Sequence, residues 1–280
     1  MRTSNPTLSE SAFNRLGASQ GQAGYGSTAT QPGYAPGTMP PDPFGHGAPP
    51  AAAQARVDRF TVEGAIYKTG FLLVLLVLSG LATAALLPES LYMPAIIASV
   101  LVGLGLVIGI SVKPDLAKTL APVYALVEGV VLGAITVLLE SQPGLEGIGA
   151  QAALGTVAVL GVMLTLYRTG VIKVTQRFRM IVTAATGAIF VTYLLSFVLG
   201  FFGINFGFLH GNSMLSIGIS VLIIGVAAAH LALDFDFIET AAARGLPAKA
   251  EWYAAFGLLV TLVWIYLEIL RLLAKLNSRD

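Results

Sequence analysis

The chain has 280 residues, 55% hydrophobic and 11% charged, with a mean hydropathy of +0.79. An average soluble domain is about a quarter charged, so this balance excludes a soluble globular domain and describes a protein of the membrane. A net charge of +1 leaves no basic footprint for nucleic acid, and the lack of Cys excludes disulfides, thiol nucleophiles and thiolate metal sites.

Residues 1–55 are rich in Gly, Pro, Ala, Ser, Thr and Gln, as in Gln31-Pro32-Gly33-Tyr34 and Met39-Pro40-Pro41. Such a segment cannot bury enough apolar surface to offset its chain entropy, which predicts a disordered tail. The first long apolar run starts only near Thr69, past the place of a secretory signal, so the N-terminus is expected in the cytosol. Residues 56–68 set Arg56, Asp58, Arg59 and Glu63 among apolar side chains and read as an amphipathic segment on the membrane surface, running into the first span.

About 20 residues at 1.5 Å rise cross a hydrocarbon layer of about 30 Å. On that measure the chain is all-α, a polytopic bundle with seven spans at approximately 69–87, 92–112, 120–139, 152–172, 180–202, 213–238 and 253–276. Alternate connections differ in charge. Arg56, Arg59, Lys68, Lys113, Lys118, Arg168, Lys173, Arg177, Arg179, Arg244 and Lys249 fall on one side, and the other side has Glu89, Glu140, Glu146 and His210 with no Lys or Arg. Basic residues concentrate on the cytoplasmic face, so this asymmetry predicts a multi-pass protein of the cell membrane with its N-terminus inside. Arg271, Lys275 and Arg279 resist that scheme, because a seventh full span carries them outside. Either the last segment tolerates the violation or it dips in and returns; seven full spans is the preferred reading.

Gly105 and Gly109 form a G-x-x-x-G pair in the second span, and Gly129 and Gly133 another in the third. Close packing within one chain is the ordinary use of this motif, so a monomer is expected. Pro122 falls in the first turn of the predicted third span, where its missing N–H costs little.

The acids inside apolar segments carry the functional signal. A carboxylate there costs roughly 2.5–3.5 kcal/mol on insertion scales, so its presence calls for a reason. Asp234, Asp236 and Glu239 cluster at the end of span six, with His230 one turn before Asp234 and on its face. Asp236 and Glu239 fit a helix leaving the membrane as well as they fit a site; Asp234 lies deeper. Glu268 has no charge between Tyr253 and Leu267 before it, and Arg271 three residues on can neutralise it along the helix. Alternatively Glu268 faces an acid of span six and the two share a proton or a cation. Paired carboxylates in a low-dielectric site cannot both ionise cheaply, and a hard cation such as Ca²⁺ stabilises the doubly charged form. Glu128 in span three lines the same cavity or bonds a neighbouring helix. Tyr167, Arg168 and the Arg177-Phe178-Arg179 run fit the lipid headgroup interface.

Catalysis is not expected. An intramembrane aspartyl protease uses two aspartates, and the span-seven acid is Glu without a Gly-x-Gly-Asp context. Ser196, Ser213, Ser216 and Ser220 lack a nucleophile elbow. No cofactor is expected beyond Ca²⁺ as cargo or transient ligand.

The Leu233-Asp234-Phe235-Asp236-Phe237-Ile238-Glu239 and Tyr266-Leu267-Glu268-Ile269-Leu270-Arg271 stretches resemble the bacterial branch of the Bax inhibitor (YccA-like, TMBIM-type) family. Tyr124 to Gly133 and the Leu166-Tyr167-Arg168-Thr169-Gly170 run look like its actinobacterial form. The resemblance covers about 63–276. It implies a central seventh helix and a pH-sensitive calcium leak, in which an aspartate late in span six pairs with an acid in span seven. By position these are Asp234 and Glu268, with Glu where Asp is usual. A basic residue in span two also pairs with the dyad in that family; residues 92–112 contain none, leaving Arg271 or His230 as substitutes. The family resemblance also allows a regulatory membrane protein whose tail engages a partner such as a membrane-bound quality-control protease.

Overall fold

A computed structural model describes residues 59–200, 202–203, 211 and 213–278. The predicted tail, Arg56 and Asp58 of the predicted interfacial segment, His210 and Arg279 lie outside the described residues. Among the described residues seven α-helices follow in order: α1 (Val62–Leu86), α2 (Tyr92–Val112), α3 (Ala117–Glu140), α4 (Ile148–Arg168), α5 (Gln176–Gly200), α6 (Met214–Ala243) and α7 (Ala250–Asn277). All seven are long and apolar enough to cross a membrane, and no strand occurs among the described residues.

The apolar runs form helices because in hydrocarbon each backbone N–H and C=O must be satisfied within its own segment. Polar side chains cap two of the starts, those of α1 and α6: the Thr61 hydroxyl accepts from Gly64 N at 3.0 Å, and the Ser213 hydroxyl from Ser216 N at 3.2 Å. Gly245, at φ +62°, ends α6; its N–H donates to Ala242 O, and the Leu246 N–H donates to Ala241 O. This pair of bonds satisfies the last carbonyls and turns the chain back within a few residues.

Several boundaries differ from the expected ones. The first helix begins at Val62, so residues 62–68 are its opening turns. Because α3 starts at Ala117, Pro122 lies in its second turn and leaves the Lys118 carbonyl without its in-helix donor; it is not the helix start. Arg177 and Arg179, expected in a loop, lie in the first turn of α5. The sixth helix runs five residues past its expected end, which places Glu239 on the helix, and α7 starts three residues early and takes in Glu251.

At the centre lies α7, packed against α6, α1, α4 and α3. Some 56% of its apolar window is buried, against 11% for α2, so the last helix is the post around which the others stand. Tyr253, Phe256, Leu259 and Ile265 are fully buried on it, and Tyr124 of α3 meets Phe256 edge to face at 5.1 Å. Outward, large apolar side chains such as Val74, Leu101, Leu154, Phe190 and Leu222 are exposed, an inversion of the soluble pattern that suits a lipid surround.

The two G-x-x-x-G pairs behave differently. A Cβ at Gly129 or Gly133 would collide with the backbone carbonyls of Leu76 and Gly80 of α1, and Ser79 Oγ donates across the same contact to Leu126 O at 2.7 Å. This pair lets α1 and α3 touch backbone to backbone. Gly105 meets nothing within 4 Å.

Candidate functional site

Four elements meet at one end of the bundle. Arg59 bridges to Pro247, the Phe60 N–H donates to Leu246 O at 2.6 Å, and Lys249 Nζ pairs with Asp115 Oδ1 at 2.8 Å. The segment before α1, the α2–α3 turn and the α6–α7 turn are thereby joined. The start of α5 reaches the same region, because Arg179 pairs with Asp236 of α6. The basic connections singled out from sequence are therefore gathered at this end.

From here α6 spreads its polar residues to three neighbours, since successive positions differ by about 100° around the axis. Asp236 faces α5 through Arg179. Glu239 accepts from Tyr167 Oη of α4 at 2.8 Å, so Tyr167 ties two helices together as well as lying near the interface. Asp234, 2% exposed, faces α7, where Thr261 Oγ1 donates to its Oδ2 at 2.6 Å. Its other oxygen, Oδ1, is buried and has no hydrogen-bond partner among the described residues. His230 Nε2 stands 3.9 Å from that oxygen, and its Nδ1 lies 3.3 Å from Thr186 Oγ1 of α5. A chain of polar groups thus crosses from α5 through α6 to α7.

The acid-to-acid contact expected between Asp234 and Glu268 is not made. Asp234 lies nine residues, about 13.5 Å, from the end of α6, and Thr261 lies eleven residues, about 16.5 Å, from the start of α7. Glu268 is two turns further out, about 27 Å from the α7 start. The α7 position level with Asp234 is thus occupied by a threonine. Glu268, 1% exposed, instead accepts from Tyr193 Oη of α5 at 2.8 Å and from Arg271 Nη1 at 3.2 and 3.4 Å. Arg271 also donates to Tyr193 Oη at 2.5 Å and stacks its guanidinium 4.8 Å from the Tyr193 ring. Neutralisation of Glu268 along its own helix, the simpler alternative, is what forms.

The basic C-terminal end is resolved by the same packing. Lys275, 5% exposed, donates to Ser220 Oγ at 2.9 Å and to Ser216 O at 3.4 Å, both on α6. Lys275 is thus an internal group of the bundle and Arg271, a third exposed, is held by Glu268, while α7 is an unbroken helix that does not turn back.

Glu128 on α3 is half-buried and lies against Gly103 of α2, where a Cβ would stand 3.0 Å from its Oε1. Its hydrogen bond is with Tyr124 of its own helix. Among the described residues no group of three or more His, Cys, Asp or Glu is arranged to hold a metal.

One polar centre escaped the sequence reading. Glu251, in the first turn of α7 and 4% exposed, accepts from Thr61 N at 2.8 Å and Thr61 Oγ1 at 3.0 Å, and pairs with Lys68 of α1. Lys68 also stands over the Trp252 ring at 5.6 Å. The signal was present as an acid one residue before an aromatic run, but an assumed span start of 253 made it a loop residue.

A family profile described as Bax inhibitor 1 like matches residues 5–278 of the chain. No curated protein and no solved structure gives a match.

Proposed function

The chain belongs to the Bax inhibitor 1 like family, and from that premise we propose that it is a pH-sensitive leak for Ca²⁺ or a similar cation in the cell membrane, its basic end and N-terminus cytoplasmic. One observation carries the reading. Asp234 is sealed between α6 and α7 with an unbonded oxygen, an expensive arrangement to keep unless that oxygen is used. His230 at 3.9 Å sets an imidazole beside it. The sensing element is then Asp234 with His230 and Thr261 around it, and Glu268 with Arg271 forms a separate station toward the other end. A proton on Asp234 changes its charge and its bonding to Thr261, and so the fit of α6 on α7. The free oxygen can in turn serve as one ligand of a passing hard cation.

The test is Ca²⁺ entry into liposomes containing the purified protein and a trapped indicator, across a pH series. Entry that varies with pH in the wild type and becomes insensitive to pH in Asp234→Asn is the expected result. Deletion of residues 1–55 should leave entry unchanged, which separates a leak from a regulator acting through its tail. Absence of entry at every pH removes the proposal.

A further inference from the structure

The fifth helix carries a polar stripe on the face it turns to the bundle. Its lipid-facing positions are apolar, with Met180, Ile181, Phe190 and Val191 all more than half exposed. The face it turns to the bundle instead carries Arg179, Thr183, Thr186 and Tyr193, at spacings of four, three and seven residues that keep them on one side of a helix. Each of three levels along this stripe meets a polar group of α6 or α7: Arg179 meets Asp236, Thr186 meets His230, and Tyr193 meets Glu268 and Arg271. Its close helix-to-helix packing is against α6.

Two further observations concern the space along this stripe. Thr183 Oγ1 is buried with no hydrogen-bond partner among the described residues, and so is Asp234 Oδ1 beyond His230. Beside Tyr193, α5 and α6 part at an open, apolar groove of about 190 Å³ on their lipid side, lined by Ala188, Ile189, Thr192, Ile219 and Leu222, so the two helices are not tightly interlocked there. A helix that presents hydroxyls and a guanidinium inward is held by bonds that water can replace, whereas interdigitated apolar side chains have no such substitute.

We propose that the aqueous pathway of this protein runs along the seam between α5 and the α6–α7 pair, with α5 as its movable wall. Arg179–Asp236 closes the seam at the basic end, and the Tyr193–Glu268–Arg271 triangle closes it at the other. Displacement of α5 opens one continuous polar strip past Asp236, His230, Asp234 and Glu268. This deepens the leak reading by giving it a route, and it assigns positioning roles to Arg179, Thr186 and Tyr193.

The chain has no native Cys, so a single introduced thiol reports alone. Full-length Thr183→Cys, Thr186→Cys and the lipid-facing control Ile181→Cys, in liposomes, are treated with a water-soluble cationic thiosulfonate. The two seam thiols are expected to react about ten-fold faster than the control, because a thiol in apolar surroundings stays inert. Modification should block Ca²⁺ entry, and Tyr193→Phe should speed labelling at residue 186 several-fold. Seam thiols that react no faster than Ile181→Cys, in a protein that still passes Ca²⁺, overturn the route and leave the leak standing. Fast seam labelling in a protein that passes no Ca²⁺ retains the aqueous seam and removes the leak.

Discussion

Asp234 on α6 and Thr261 on α7 are joined by a 2.6 Å hydrogen bond in the buried interior, where an acid was expected to face an acid. Removing the hydroxyl leaves a buried carboxylate with neither oxygen bonded. Thr261→Val, which keeps the shape, should therefore lower stability by about 1–3 kcal/mol, while Thr261→Ser stays close to wild type. Thermal unfolding in detergent measures both, and equal stabilities for Val and Ser would show that the bond carries no weight.

His230 touches the same carboxylate from its own helix. His230→Gln should weaken the response of Ca²⁺ entry to pH while leaving a residual entry, whereas Asp234→Asn removes the response. A pH profile unchanged in His230→Gln would assign the response elsewhere.

The α1–α3 contact is a second place where one atom decides the outcome. At Gly133 an added methyl meets the Gly80 carbonyl, which cannot move aside as a flexible side chain can. Gly133→Ala should cost about 1–3 kcal/mol through overpacking. Gly105→Ala, in open space, should be neutral or stabilise by about 0.4–1 kcal/mol. The pair is compared by thermal unfolding.

Glu251 holds the entry of α1 to the start of α7 through Thr61 and Lys68. Glu251→Gln keeps the size but leaves Lys68 without its counter-charge, and should cost about 2–3 kcal/mol, reduced from the value for a fully buried pair because Lys68 is 23% exposed. The double variant Lys68→Met with Glu251→Met should recover part of that loss. A double-mutant cycle with no coupling would contradict this.

Arg271 neutralises Glu268 and stacks on Tyr193. Arg271→Ala should destabilise by about 2 kcal/mol, since Glu268 stays buried while the guanidinium is a third exposed and already shares its charge with solvent. Arg271→Lys should restore part of this, as it keeps the charge but loses the planar stack.

Apolar length and the charge of short connections are local quantities that add along the chain. That is why seven spans, their approximate limits and the grouping of Lys113, Lys173 and Lys249 on one side could be read without coordinates. The Gly129–Gly133 pair was legible for the same reason, as a spacing on one helix. The partners of the buried acids were not. Whether Asp234 meets Glu268 or Thr261 depends on how far α7 is slid along α6, and a slide of two turns exchanges one for the other with no change in either helix's hydropathy. Glu251 and Thr61 are 190 residues apart, and the inward stripe of α5 gains meaning only when His230, Asp236 and Glu268 stand opposite it. Axial register and facing between distant helices arise from packing, so tertiary structure alone decided which polar groups form the site.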